Sequence, residues 1–445
     1  MITLSPPNRW PVALAFLLCL AWLAPAWAVL PIERWTSASG ARVLFVKADA
    51  IPMLDIVVDL DAGGWLVPQG RQGLASLTAS MLDAGNTDMD EAAIAEAFAR
   101  IGALRGSGAS DDRASVSLRT LTSEPELTRA VELTAKLLTR PSFPEAVLER
   151  EKSRLVTQLR ESQTRPETIV SREFSAALYG EHPYGRHATP ETVQAITRDD
   201  LISFHRRHYG ASRAVVAMIG NISAEQARAI AETLTRGLPP GEAAPQRPSL
   251  PATDKGVSTR IEHPASQSHI RIGLAAIARG HPDFFALQVG NYVLGGGGFV
   301  SRLYNEVREK RGLAYSVYSY FSPMAQPGPF MIGLQTRKEQ AELALQVVNE
   351  TLQRFLNEGP TEAEVIAAKA NLVGGFPLRI DSNRKILDQL VLIGVHDLPL
   401  DWLERWPQRI ESVSVADVRA SFARHVKPQA LSTVVVGAPT VAVRP

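Results

Sequence analysis

Apolar residues along this chain switch between two spacings, and the switches mark out its elements. Within residues 42–60 the runs VLFV and LDIVVDL are β-branched and nearly continuous; divided by Ala50-Ile51-Pro52, they predict two strands, the second closed by Gly63-Gly64. Over residues 73–82 the apolar positions Leu74, Leu77, Met81 and Leu82 fall at helical spacing. Residues 90–101 repeat that pattern behind Asp90, which can cap the helix. Residues 107–120 alternate as a strand, and 124–138 and 144–163 return to the helical period, the latter with Pro144 at its first turn. Residues 179–190, with Gly, Pro and His, read as a connection. A helix over 198–208 and a buried strand, AVVAMIG at 214–220, complete the first half.

The pattern then lapses. Five prolines, Pro239, Pro240, Pro245, Pro248 and Pro251, crowd residues 239–255 with few large apolar side chains, which predicts a semi-rigid linker too polar to join either core. Beyond it, strands are expected at 269–276 and 330–335, and helices at 282–294, 339–357 and 361–373, the last with a capping box from Thr361 to Glu364. A repeat crosses the linker. Thr197, Asp200, Arg207, His208 and Gly220 have counterparts in Ser414, Asp417, Arg424, His425 and Gly437, each in a helix followed by a strand. The displacement is far longer than the ~20–50 residues of a solenoid unit, so it indicates a duplicated domain. The expected division is a segment 1–28, a domain over 29–238, the linker 239–255 and a second domain over 256–445.

Composition refines this picture at the N-terminus. Arg9, the apolar residues 12–23 and Ala26-Trp27-Ala28 have the charge, length and small-residue cleavage pattern of a secretory signal, and the apolar run falls short of the ~20 residues needed to span a bilayer. The single cysteine, Cys19, lies there behind Leu17-Leu18, not the small residue a lipoprotein signal uses. A mature chain without thiols has no disulfide or cysteine chemistry. The signal takes one of the 47 basic residues, leaving basic and acidic side chains equal in number. That balance offers no basic stripe for nucleic acid. No further membrane-spanning run occurs, and an exported, periplasmic protein is expected.

The most distinctive stretch is GGGGFVSRLYNEVREKRGLAYSVYSY at 295–320, in which four glycines precede an amphipathic helical run and Arg308 and Tyr315 stand at its exit and at the start of a strand. Gly295, Gly296, Gly297 and Gly298 are not followed by the Gly-Lys-Ser/Thr of a phosphate loop, which leaves a flexible or closely approached loop. By spacing alone, Arg308 fits a solvated Arg-Glu-Lys-Arg face and Tyr315 an ordinary strand. Among the nine histidines, His205 and His208 lie one helical turn apart beside Arg206 and Arg207, which favours a solvated or capping role over metal ligation. Glu181, His182 and His187 share a loop with no second acidic cluster nearby in sequence.

These phrases, with Gly73-Leu74-Ala75, Met81-Leu82, the run from His182-Pro183-Tyr184-Gly185-Arg186 to Gly220-Asn221 and residues 303–316, resemble the pitrilysin and mitochondrial processing peptidase family over nearly the whole mature chain. The resemblance implies an α/β (α+β) fold of two similar domains, each a mainly antiparallel sheet packed with helices, enclosing a chamber. Active members carry H-x-x-E-H on the first helix and a distant glutamate, which together bind zinc and activate its water. The matching positions here are Ser76, Ala79, Ser80 and Gln158, none of which can replace imidazole or carboxylate.

Arg308 and Tyr315 match the pair with which the family's second domain holds substrate backbone, and the glycine run would line the chamber with them. A guanidinium offers fixed donors to peptide carbonyls, and a phenol can donate to the oxyanion of a tetrahedral intermediate. The resemblance thus implies a zinc-less, substrate-binding subunit of a two-subunit peptidase, binding no metal itself and paired with an H-x-x-E-H-bearing partner that supplies the zinc and cleaves the peptide. The alternative is a structural or binding subunit, like the catalytically inactive core proteins of respiratory complexes. An active stand-alone protease would need a metal site that the sequence does not offer.

Overall fold

The structure is a computed structural model that describes residues 31–239, 245–250 and 253–437. The expected signal segment with Cys19, and residues 240–244 and 251–252 of the expected linker, lie outside the described residues.

Two mixed sheets carry the fold. The first runs β1 (Glu33–Thr36), β2 (Arg42–Lys47), β6 (Ala214–Gly220), β3 (Met53–Leu60), β5 (Ala114–Leu121), β4 (Leu104–Ala109), and the second runs β7 (Ser258–Glu262), β11 (Ser432–Gly437), β8 (Gln267–Ile277), β10 (Gly328–Arg337), β9 (Ala314–Phe321). With β1 set aside, strand order is the same in both halves. Each sheet has one parallel pair, β2 with β6 and β7 with β11, and is otherwise antiparallel. Strand β6 is buried at every residue because it lies inside the sheet with both faces covered, which is why AVVAMIG has no polar alternation.

The repeat seen in the sequence is structural. In helix Arg198–His208 the Thr197 hydroxyl accepts from the Asp200 N–H at 3.2 Å while Asp200 accepts from the Thr197 N–H at 2.9 Å; in helix Val415–His425, Ser414 and Asp417 make the same exchange at 3.1 and 2.9 Å. Each box satisfies two otherwise orphaned amides at a helix start.

The halves are interlocked by exchanged helices. Helix Pro166–Tyr179, from the first half, packs across β8 and β11 of the second sheet; helix Asn383–Val395, from the second half, packs across β2, β3 and β6 of the first. Val170, Phe174 and Leu178, four residues apart, join Met331, Val434 and Val436 in one apolar cluster. Opposite them, a Cβ on Gly394 would stand 2.6 Å from Leu44 and 2.5 Å from Val215, so a glycine lets the second helix lie flat on its sheet.

Several elements differ from the sequence expectation. Residues 107–120 form part of a hairpin, β4 and β5, because the polar Ser110-Asp111-Asp112-Arg113 turns the chain where alternation alone reads as one strand. Helices Pro166–Tyr179, Ala224–Thr235, Asn383–Val395 and Trp402–Glu411 were not predicted. The expected linker is not free of the cores. Arg247 pairs with Asp61 at 3.0 Å and Asp112 at 2.8 Å and lies 4.1 Å over the Trp65 ring, and Leu250 packs on the Phe174 cluster. A cation with an apolar stem is drawn down by the carboxylates that the strand ends and hairpin turn collect there.

Candidate functional site

The first centre is the short helix Leu74–Ser80. It begins behind Gly73, whose φ of 106° is in the left-handed region where glycine is favoured. Ser76 and Ser80 are exposed, Ala79 is fully buried, and the Ser80 hydroxyl donates back to the Leu77 carbonyl at 3.1 Å. Gln158 is exposed on helix Glu145–Ser162 and is not among the residues lining the cavity that Ser76 borders. Two hydroxyls, a methyl and an amide do not fit zinc, which takes imidazole, thiolate and carboxylate.

That cavity, of about 340 Å³, is polar, with Gln72, Ser76, Ser110, Asp111, Arg186 and His187 in its lining. Burial, and then the neighbouring Asp112, push the Asp111 carboxyl up to about 6. The Asp111 side chain is itself exposed, however, so water screens much of that effect. Burial pulls His187 down and favours its neutral form, and its Nε2 has no hydrogen-bond partner. The loop of Glu181, His182 and His187 therefore does meet an acidic pair, supplied by the β4–β5 turn: Asp111 shares the cavity with His187, and the Asp112 carboxylate accepts from the Tyr184 hydroxyl. Sequence reasoning missed this because the partners are some seventy residues apart; the Asp111-Asp112 doublet in a turn was the one available signal.

The second centre is residues 292–321. The expected helical run is broken into π-helical turns at Tyr292–Gly296 and Asn305–Glu309 around a short helix Arg302–Tyr304. Such turns insert a residue into the helical ladder and often accompany functional sites. The glycines are closely approached: a Cβ on Gly295 would lie 2.7 Å from the Ser319 amide, on Gly296 2.5 Å from Asn291 and on Gly297 2.6 Å from the Tyr292 carbonyl. Gly298 has φ +59° and open space around it. Gly295 is buried while Gly296 and Gly298 are exposed, so of the four it is Gly295 that packs against β9.

Arg308 and Tyr315 come together. The guanidinium lies 4.8 Å from the Tyr315 ring centre, 4.8 Å from Tyr304 and 5.9 Å from Phe299. The solvated charged face expected from spacing is real but excludes Arg308: Glu306 accepts from Lys310 and Arg311, each at 2.7 Å, and these hold its carboxyl below its usual range. Arg308 makes no ion pair among the described residues. Its ring neighbours Tyr315 and Phe299 are 84% and 74% exposed, so the guanidinium is seated on aromatic faces with its donors unspent.

The histidines give no better metal site. His205 is buried and bonds the Leu138 carbonyl at 2.8 Å, so it is a satisfied core residue and not solvated as expected. His281, Asp283 and His425 bring ligand atoms within 4.8 Å of one another. Arg424, however, grips Asp283 at 2.8 and 2.9 Å, and the Asp283 amide donates to His281 Nδ1, which leaves the proton of neutral His281 on Nε2. A fixed cation and the wrong tautomer oppose a metal ion there.

Residues 42–190 match the family described as insulinase (peptidase family M16), and residues 195–372 match the peptidase M16 inactive domain. A crystal structure of a peptidase M16 inactive domain from Pseudomonas fluorescens superposes with TM-score 0.88 at 38% identity, covering 94% of this chain and all of that one. The chain belongs to peptidase family M16. An uncharacterized zinc protease of Streptomyces coelicolor is 31% identical over 71% of this chain and 70% of its own. A protein of Helicobacter pylori named a non-peptidase homolog is 25% identical over 88% and 91%. M16 relatives thus carry both kinds of name, and in this M16 chain the helix Leu74–Ser80 offers none of the family's metal-binding side chains. None of its described helices is long and apolar enough to cross a membrane.

Proposed function

We propose that this M16 chain is the substrate-binding, non-catalytic subunit of a heteromeric zinc metallopeptidase. A homologous partner bearing H-x-x-E-H supplies the zinc and the water-activating glutamate, and this chain supplies Arg308 and Tyr315 to hold the peptide. The observation that carries the reading is the state of Arg308: without an ion pair among the described residues, seated on aromatic rings, with an exposed phenol beside it, in a chain whose own metal positions are Ser76, Ala79, Ser80 and Gln158. A guanidinium held by ring faces keeps its N–H groups for peptide carbonyls. A structural subunit has no need of such an arrangement. The resident compartment in this reading is the periplasm, reached after removal of residues 1–28, which an intact mass of the exported chain would show.

The test is reconstitution. The chain is co-purified with an M16 partner that has the intact motif, and peptide hydrolysis is assayed for each alone and for the pair. Full activity is expected only from the pair, with little from either chain alone, and Arg308→Ala is expected to lower turnover of the pair; unchanged turnover would remove the role assigned to Arg308. Full turnover by the partner alone, with or without this chain, would favour the structural alternative.

A further inference from the structure

A second cavity, of about 580 Å³, lies between the last turn of helix Pro166–Tyr179, the loop that follows it, Trp65 and the described part of the proline-rich segment from Pro248 on. Its volume is within the range of small-molecule sites, about 300–1,000 Å³. Apolar surface predominates on its walls, with Trp65, Leu178, Tyr179 and Leu250 among the contributors.

The polar atoms of these walls are already engaged. Trp65 Nε1 donates to the Asp61 carboxylate and the Tyr179 hydroxyl to the Pro327 carbonyl, each at 3.3 Å. His182 Nδ1 accepts from the Tyr184 N–H at 3.2 Å, which puts the proton of the neutral ring on Nε2, and Nε2 gives it to the Pro248 carbonyl at 3.1 Å. The loop backbone is spent as well: the Tyr179 carbonyl accepts from the His182 N–H at 2.9 Å, the Pro183 carbonyl from the Arg186 N–H at 3.1 Å and the Glu181 carbonyl from Arg186 Nε at 3.0 Å. What these groups offer a ligand is ring and aliphatic surface. The other polar side chains, Glu181, Ser249 and Thr253, are exposed at the rim, where Glu181 and Arg186 oppose one another in charge. The rings are also fixed before any ligand arrives, since Arg247 covers Trp65 at 4.1 Å and Tyr184 meets Tyr179 edge-on with centroids 5.5 Å apart.

We propose that this cavity binds an uncharged aromatic small molecule, held by ring and aliphatic contacts alone. A peptide is poorly suited to it, because the N–H and C=O groups it buried there would find the wall's partners already taken. An ion would leave water for a rim whose two charges cancel. An aromatic molecule gives up no polar contact and gains stacking and edge-to-face contact with Trp65 and Tyr179. The site is independent of the reading given to Arg308 and Tyr315, neither of which borders it.

Titration of the mature chain with the uncharged dye N-phenyl-1-naphthylamine tests the assignment. A saturable, one-to-one rise in dye emission is expected, accompanied by loss of tryptophan emission through energy transfer from Trp65. Ala177→Phe, which places a ring in the cavity, should weaken binding tenfold or more without lowering the temperature of thermal unfolding. Trp65→Phe keeps an aromatic wall and should keep dye binding while removing most of the tryptophan quenching. Trialanine at millimolar concentration should not displace the dye. The assignment is overturned by the absence of saturable binding, by unchanged affinity in a folded Ala177→Phe chain, by quenching that survives Trp65→Phe, or by displacement with trialanine. None of these results bears on turnover by a reconstituted pair.

Discussion

In the first half, the helix Leu74–Ser80 borders a polar cavity through Ser76, near an acid with no ion-pair partner among the described residues; in the second, Phe299, Tyr304 and Tyr315 surround an arginine that likewise has none. Both halves share one strand order, and each sheet receives a helix from the opposite half. The difference shows that the scaffold does not dictate the chemistry. The buried positions of β3, β6, β8 and β11 set the fold, while a few exposed side chains at the ends of strands and helices set what each half can touch.

The comparison breaks most completely if the exchange of helices fails. Phe174, buried between helix Pro166–Tyr179 and the second sheet, and Leu390, buried between helix Asn383–Val395 and the first, hold equivalent places. Phe174→Ala should cost about 3–5 kcal/mol and Leu390→Ala about 2–5 kcal/mol. Because each helix belongs to one half and packs on the other, denaturant unfolding of either variant should remain one transition. Two separated transitions would mean that the halves fold independently.

These helices also mark the limit of what the sequence discloses. Strands β2, β3, β6 and β11 and the duplicated capping boxes were legible because continuous β-branched runs and Ser/Thr-x-x-Asp spacing are local signals. The exchange was not, since Val170, Phe174 and Leu178 declare an apolar stripe but not which sheet receives it. The same holds for the sites. Arg308 and Tyr315 could be paired by resemblance, but the detachment of Arg308 from the Glu306 cluster is seen only in the fold, as is the cavity that Asp111 and Arg186 both line.

At the second centre, Arg308→Ala should lower turnover of the reconstituted pair about 100-fold, equivalent to ~2.7 kcal/mol of transition-state stabilisation. Its own stability should change by only about 0.5–1 kcal/mol, the worth of an exposed cation–π contact. Ser76→Ala, at the first centre, should leave turnover unchanged. Equal effects of the two substitutions would erase the functional contrast between the halves. A smaller effect checks their common origin: Thr197→Ala and Ser414→Ala should each cost about 1 kcal/mol in thermal or chemical unfolding, because each removes the same cap from equivalent helices.

The mildest test concerns how each centre is anchored. Arg71, just before the helix Leu74–Ser80, reaches the capping-box carboxylate Asp200 at 3.2 Å, and Arg302, which opens the helix before Arg308, grips the capping-box carboxylate Glu364 at 2.6 and 2.7 Å. The Arg302 bonds, with help from the Thr361 amide and hydroxyl, bring the Glu364 carboxyl from 4.5 down to about 2. A depressed carboxyl stabilises the folded chain above its unfolded pKa and loses that contribution as pH falls through the window from about 4.5 to about 2. Glu364 is partly open to water, so the contribution is discounted to roughly 1 kcal/mol. Glu364→Gln keeps an acceptor at the third helical position and removes only the charge. At pH 7 it should be less stable than the parent by that roughly 1 kcal/mol, and urea unfolding at successively lower pH should show the gap closing between 4.5 and 2. A gap that stays constant with pH would mean that Arg302 is held by packing over Phe355, 5.4 Å away, and not by the ion pair, and the two centres would then be anchored by different physics.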